Sequence, residues 1–314
     1  MWKLISVFAS GTTVYLLSSS ETSAAEVSLG IYPPLTRIHS GAGAHITSPI
    51  SVINNTDSLM ILGVTFLPFR ASDQQNGAIE YYNTKETPQD LSDFLKTITV
   101  LEGDKEVANI TAFPRQYKNF TISFNAPLKE KDYYFSVVLT AQNNAEKTDS
   151  TRITINPSIS TNVLLSVNRK EQNGLINQFD TKSVILNGPA KFNLTVQNSS
   201  DNYETASGFI TVYDFFGNKA GVIKLNPEII LANSSRSLLA QQQTGQPIPL
   251  SWGEKFLLGP YSATATVYLD GTKKISGETR FFAIPVIILV ILVALFFIIL
   301  SIALKVIRKV NIQE

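Results

Sequence analysis

The run Phe281–Leu304, FFAIPVIILVILVALFFIILSIAL, limits what the rest of this chain can be. It contains no charged residue, and its only hydroxyl belongs to Ser301. About 20 apolar residues in helical form cross a hydrocarbon core of about 30 Å, and a helix satisfies every backbone N–H and C=O without water. Pro285 sits near the start, where a helix tolerates a missing N–H. Apolar side chains on every face, followed by Lys305, Arg308 and Lys309, separate this run from the core helix of a soluble protein. The expectation is a transmembrane helix over 281–304, with residues up to Arg280 on one side of a membrane.

The other end of the chain decides which side. Lys3 precedes a largely apolar stretch, Leu4–Leu17, and Ser23-Ala24-Ala25 is a small-residue cleavage pattern. Together these three parts read as a secretory signal peptide over 1–25, cut before Glu26. Flanking charge does not choose, because Lys273, Lys274 and Arg280 precede the span much as Lys305, Arg308 and Lys309 follow it. The signal peptide puts residues 26–280 outside and leaves 305–314 as a cytoplasmic tail. The expected location is therefore the cell membrane, single-pass, with the large N-terminal part extracytoplasmic.

The exported part reads as short alternating runs divided by Gly, Pro, Asn and Asp. Phe120, Ile122 and Phe124 alternate with Asn119, Thr121 and Ser123. Phe192, Leu194 and Val196 do the same, as do Ala263, Ala265, Val267 and Leu269. This period of two marks half-buried strands. Asp270-Gly271 is a hairpin turn. Ile98–Leu101 and Val107–Ala112 bracket Glu102-Gly103-Asp104 as a hairpin-like pair, and Thr151–Ile155 is a further strand. Residues 70–93 read as a long polar loop with a short strand near Ile79–Tyr82, and Leu91–Leu95 as a helical turn. No sustained amphipathic helix interrupts the series. The fold class is all-β: two tandem Ig-like antiparallel β-sandwiches followed by one transmembrane α-helix. Asn156-Pro157 is the candidate boundary, giving an N-terminal Ig-like sandwich over 26–156 and a membrane-proximal one over 157–280. An internal repeat supports two copies, since Ser51–Asp57 (SVINNTD) resembles Thr195–Asp201 (TVQNSSD).

Chemistry is sparse. With no cysteine, thiol catalysis, thiolate metal sites and disulfides are excluded, and the cores alone must hold an exported chain together. A formal net charge of +1 gives no nucleic-acid footprint. His39 and His45 flank a Gly-rich turn and could meet across a hairpin, but no third ligand stands nearby, so they read as surface or satisfied histidines. Glu102/Asp104 and Glu130/Asp132 read as solvated turn charges. No nucleophile elbow, phosphate-binding glycine loop or calcium loop occurs. No catalytic, cofactor-binding or metal residues are assigned, no cofactor is called for, and the chain is expected not to be an enzyme. Sequons stand at Asn54, Asn109, Asn119, Asn193, Asn198 and Asn233; glycans there depend on the host. Of the aromatics Tyr81-Tyr82, Phe113, Tyr117, Tyr133-Tyr134 and Phe215-Phe216, most are expected in the cores.

Ile31-Tyr32-Pro33-Pro34 with Gly41–Gly43, Val52–Asp57, Ile122–Pro127 with Asp132-Tyr133-Tyr134, Ile159–Val167, Asp214–Gly217, Ile229–Leu238 and Gly259-Pro260-Tyr261 occur in that order before the anchor. In this order the chain resembles the WxL-interacting-protein family of Gram-positive bacterial surface proteins. The resemblance implies an N-terminal domain that binds peptidoglycan and a membrane-proximal domain that engages partner proteins. It transfers no functional residue, because the family has no catalytic motif. The expected function is a non-catalytic, membrane-anchored surface binding protein, engaging cell-wall glycan, other surface proteins or both. The rival reading is an accessory subunit of a membrane complex with the helix as its interaction surface.

Overall fold

The structure is a computed structural model that describes residues 28–142, 157–242 and 244–310. The expected signal peptide and the strand expected at Thr151–Ile155 lie outside the described residues.

The first sandwich runs through β1 (Leu29–Tyr32), β2 (Leu35–Ser40), β3 (His45–Asn54), β4 (Met60–Ala71), β5 (Ile79–Tyr81), the short helix α1 (Gln89–Leu95), β6 (Thr99–Glu102), β7 (Lys105–Glu106), β8 (Asn109–Ala112), β9 (Tyr117–Asn125), β10 (Asp132–Gln142) and β11 (Ser158–Val167). One sheet has the order β1-β3-β9-β6-β7, and the other β2-β11-β10-β4-β5 with β8 on β4. The alternation read from sequence is the reason. Phe120, Ile122 and Phe124 turn inward and are buried with Ile50, Val52, Phe135, Val137 and Leu139 between the sheets. Pro33-Pro34 interrupts the opening strand, because proline has no N–H for a ladder. The chain changes sheet there: β1 pairs with β3, while β2 pairs with β11. Helix α1 closes one side of this core with Leu91 and Phe94.

The second sandwich runs through β12 (Gly174–Thr181), β13 (Val184–Ile185), β14 (Ala190–Asn198), β15 (Glu204–Tyr213), β16 (Lys219–Lys224), β17 (Glu228–Ile230), β18 (Ser235–Ser237), β19 (Ala240–Gln241), β20 (Pro247–Ile248), β21 (Ser251–Trp252), β22 (Gly259–Leu269) and β23 (Lys273–Ala283). Its larger sheet, β13-β23-β22-β15-β16 with β17 on β15, repeats the larger sheet of the first sandwich strand for strand. The opposing sheet is β12-β14-β18 with β21 on β14. Phe192, Leu194, Val196, Ala263, Ala265, Val267 and Leu269 fill the core between them. Helix α2 (Val286–Val310) ends the described chain.

The fold is thus all-β, two Ig-like sandwiches followed by one apolar helix, and it departs from the sequence reading in four places. β2 pairs with β11, and β13 with β23, in parallel rather than antiparallel. The boundary does not fall at 156/157. Ser158–Val167 pairs with β10 along its length, and Val163, Leu165 and Val167 belong to the first core. The chain passes between sandwiches at 168–173. Val107–Ala112 does not pair back on Ile98–Leu101; β7 makes that hairpin, and β8 crosses to β4. Finally, Phe281–Ala283 is strand rather than helix. Phe281 and Ala283 are buried in the second core, and the helix starts at Val286 and continues past Leu304 to Val310.

Candidate functional site

The internal repeat is a repeated hydrogen-bond network. Asn54 is wholly buried at the end of β3. Its Nδ2 donates to the carbonyls of Ser58 (2.7 Å) and Ala112 (3.0 Å), and its Oδ1 accepts from Thr56 N and Oγ1. Asn198 ends β14 in the same way. Its Nδ2 donates to the carbonyls of Asn202 (2.8 Å) and Ile230 (3.1 Å), and its Oδ1 accepts from Ser200 N and Oγ. The following turn matches too: Arg115 N donates to Thr56 O and Asn233 N to Ser200 O, with φ of 56° and 53° at Arg115 and Asn233. These are Asx turns, in which an amide side chain stands in for backbone partners. Asn54 and Asn198 therefore keep their sequons for structure; their amides are buried and donating, and so closed to a glycan in the folded chain.

The two turns have different surroundings. The second one faces the first sandwich. There Asp132, the first residue of β10, accepts from Ser166 Oγ (2.6 Å), Asn202 Nδ2 (2.7 Å), Tyr134 Oη (2.6 Å) and Tyr203 N (2.5 Å). Phe69, Tyr134, Leu164 and Tyr203 form a small core across the junction, packed by Leu35, Ile229 and Leu231. Tyr203 is 1% exposed. Burial raises its pKa to about 12, and burial likewise holds Tyr134 well above the ordinary tyrosine range. Arg169 lies over the Tyr203 ring at 5.1 Å and pairs with Asp270. The β4–β5 turn reaches across as well: Gln75 O accepts from Ser237 N at 2.6 Å, and Gly77 sits against the Arg236 guanidinium with no room for a Cβ.

Among the described residues the first turn meets no second sandwich; Ser28 lies beside it, its carbonyl accepting from Asn55 N at 3.0 Å. By the repeat, Leu59 corresponds to Tyr203 and Phe113 to Leu231. Leu59 is 54% exposed and Phe113 52%. Tyr117, across from Ile53 in the β3–β9 ladder, is exposed beside them, and Tyr32 is exposed on the outer face of the same sheet. Ser51, opposite Tyr32, hydrogen-bonds Asn119. The tip of the first sandwich thus combines apolar side chains on a rigid turn with a neighbouring face of tyrosine, hydroxyl and amide groups. This is the candidate binding surface.

The residues singled out in the sequence fall as follows. His39 and His45 do not meet, because β2 and β3 go to opposite sheets. His39 stacks on Tyr203 at 5.7 Å with Nε2 3.2 Å from its hydroxyl. His45 Nδ1 lies 3.0 Å from Asn125 Oδ1. Asp132 is the junction hub rather than a solvated turn charge, whereas Glu102 pairs with Lys118 at 2.8 Å. Tyr133 and Tyr134 are buried and Tyr82 is half-buried, but Tyr81, Phe113, Tyr117, Phe215 and Phe216 are exposed, against the expectation that most would be core. One surface cleft is lined by His45, Asp90 and Asp93. Burial pushes the Asp90 carboxyl up, but Lys131 at 2.8 Å and Lys129 at 3.4 Å more than offset it and hold its pKa below the ordinary range. Among the described residues, no three His, Asp or Glu side chains gather as a metal site.

No protein-family model matches the chain, and no curated protein matches it. Solved structures similar to it include the class 5 fimbriae chaperone CfaA (11% identity, 82% of this chain and 100% of that one, TM-score 0.38). Another is the E. coli chaperone DraB (13%, 82% and 98%, TM-score 0.37). A third is a chaperone–tip adhesin complex of CFA/I fimbriae biogenesis (12%, 71% and 98%, TM-score 0.38).

Proposed function

We propose that the chain is a non-catalytic, membrane-anchored surface binding protein that holds its partner at the tip of the N-terminal sandwich. The observation that carries this reading is the copy of the junction that stays unfilled among the described residues. A turn that docks one sandwich onto another at Tyr203 and Leu231 recurs at the free end with Leu59 and Phe113 in the docking positions. Large apolar side chains held on a rigid, hydrogen-bonded turn are what an interface core uses. Helix α2 anchors the other end: Val286–Leu304 carries no charged residue, with a mean hydropathy of 3.5 and no part buried against the sandwiches. The junction couples the two ends, so the tip is presented at a fixed height above the membrane.

The partner is a cell-wall glycan or another surface protein. The tyrosines beside Ser51 and Asn119 suit a glycan, as does the resemblance to WxL-interacting proteins; the apolar turn suits a protein. Detergent-solubilised full-length chain and the Tyr32→Ala/Tyr117→Ala and Leu59→Ser/Phe113→Ser variants, sedimented with peptidoglycan sacculi, separate them. Loss with the tyrosine pair alone assigns the glycan. Photo-crosslinking from position 113 to one envelope protein, lost with the Leu59→Ser change, assigns the protein. Binding unchanged in both variants overturns the tip as the site. The rival, an accessory subunit that works through its helix, gains if exchanging α2 for an unrelated apolar helix abolishes function.

A further inference from the structure

The opposite end of the second sandwich carries another set of exposed apolar side chains. The β15–β16 turn presents Phe215 and Phe216, the segment before β22 presents Phe256 and Leu258, and the residue after β13 is Leu186. Phe216 is 83% exposed and Phe256 58%. The register puts them all at one end. Gly259 pairs with Ala283, so Phe256–Leu258 lie beyond the last pairing of the sheet. Val184 and Ile185 pair with Phe282 and Ala283, so Leu186 lies beyond it too. Tyr213 pairs with Ser262, and Ser262 with Arg280, so the Phe215-Phe216 turn ends within about 10 Å of the level of Ala283.

The apolar helix leaves from this same end without a stalk. Only Ile284 and Pro285 separate β23 from α2, and both sides of that step are tied down. Ile284 N donates to Ile185 O at 2.9 Å, and Val286 N to Leu186 O at 3.1 Å. The apolar stretch Val286–Leu304 has 19 residues, about 28 Å of helix, which the hydrocarbon core uses in full. None remains to lift the sandwich away. The edge of the core then falls at Val286, beside Leu186. The corresponding end of the first sandwich supports this: its β4–β5 turn, the counterpart of the Phe215-Phe216 turn, is covered by the second sandwich through Gln75 and Gly77.

We propose that Leu186, Phe215, Phe216, Phe256 and Leu258 insert into the interfacial layer of the bilayer and seat the second sandwich directly on the membrane. Phe and Leu side chains enter this layer to a depth of about 5–10 Å. The inference rests on the anchor reading of α2, and the test separates the two. The chain has no cysteine, so one introduced cysteine carries one label. Nitroxides are placed by Phe216→Cys, Phe256→Cys, Lys274→Cys and Phe296→Cys in the full chain, reconstituted in phosphatidylcholine vesicles. Collisions with oxygen and with a water-soluble nickel chelate are then measured. The expected result is a Phe296 label shielded from nickel, a Lys274 label open to it, and Phe216 and Phe256 labels with several-fold less nickel access than Lys274. A Lys219→Cys label, next to the phenylalanine pair, should lose its shielding when Phe215 and Phe216 are both changed to Ser. If the Phe216 and Phe256 labels match Lys274 while Phe296 stays shielded, the seating is overturned and the anchor stands. If the Phe296 label is itself open to nickel, the anchor falls and the seating with it.

Discussion

The two sandwiches carry the same turn at the same end, and among the described residues only one of the two is covered by the other sandwich. Around Asn198 the turn brings Asn202 and Tyr203 against Asp132 and closes a small core between domains. Around Asn54 the same hydrogen bonds hold Thr56, Ser58 and Leu59 toward solvent. The internal geometry is common property of the repeat. What differs is the residue five places after the asparagine, tyrosine in one copy and leucine in the other, and whether a strand start with a carboxylate faces it. A local motif built for rigidity thus becomes a joint or a free tip according to its neighbours.

The sharpest way to break this comparison is to remove the carboxylate. Asp132→Ala leaves the Tyr203 N–H, the Asn202 amide, the Ser166 hydroxyl and the Tyr134 hydroxyl without their acceptor. Hydrogen bonds to a charged group contribute about 1.5–3 kcal/mol, and a buried donor left unpaired costs about as much again. The expected loss is about 3 kcal/mol in denaturant unfolding. It should come with a broader distance distribution between spin labels at Glu106→Cys and Lys224→Cys, one on each sandwich. A destabilised protein with an unchanged, narrow distribution would show that the apolar contacts alone set the junction.

Next come the asparagines. Asn198→Ala strips the donor from the carbonyls of Asn202 and Ile230 and should cost about 2–3 kcal/mol; Asn54→Ala strips it from Ser58 and Ala112 and should cost about 2 kcal/mol. Near-equality is the sign of a common device. A free Asn54 turn, costing a few tenths of a kcal/mol, would end the comparison.

The turns were legible in the sequence because everything that makes them is local: asparagine, then a hydroxyl residue two places on, after an alternating strand. Strands such as β9, β14 and β22 were legible for the same reason, since period-two burial is written in consecutive residues. Sheet partnership is not local. Asn156-Pro157 announces a turn but not which sheet the next strand joins, so the local pattern assigns Ser158–Val167 to the second sandwich when it belongs to the first. Phe281–Ala283 is apolar enough for lipid and for a core alike, and only pairing with Gly259–Tyr261 decides for the core. Asp132 sits in a run with Lys129, Glu130 and Lys131 that reads as solvated. Three of its four donors, Ser166, Asn202 and Tyr203, are 34 to 71 residues further along the chain. Exposure of aromatics is equally nonlocal: Tyr81 and Tyr134 each stand in a Tyr-Tyr pair, yet Tyr81 is exposed and Tyr134 buried.

A smaller effect comes from His39, which packs on Tyr203 in the junction. Burial, and after it the Arg169 charge, lower its pKa below the ordinary value of 6.5; Asp132 and Asp270 oppose this, and Arg37 adds to it. A histidine whose folded pKa is depressed binds fewer protons folded than unfolded, so stability rises with pH across that interval. The contribution is complete above pH 6.5 and is lost as pH falls through the lower folded value. Unfolding midpoints should drop slightly on acidification below 6.5 in the natural chain and less in His39→Gln. A midpoint that rises on acidification in this window would reverse the sign and place His39 outside the junction.

The smallest expected effect tests the tip most directly. Tyr203→Ala empties a buried aromatic site and should cost about 3 kcal/mol. Leu59→Ala, at the corresponding position, removes a side chain that is 54% exposed and should change stability by no more than about 0.5 kcal/mol. A free tip gives that result at every protein concentration. If the tip is capped by a second copy of the chain, Leu59→Ala will instead lower the unfolding midpoint, and the loss will grow with concentration because assembly stabilises the folded state by mass action. A neutral Leu59→Ala together with lost partner binding is the combination that a docking surface requires, because only a surface vacant in the isolated chain can be essential to a complex and silent in the fold.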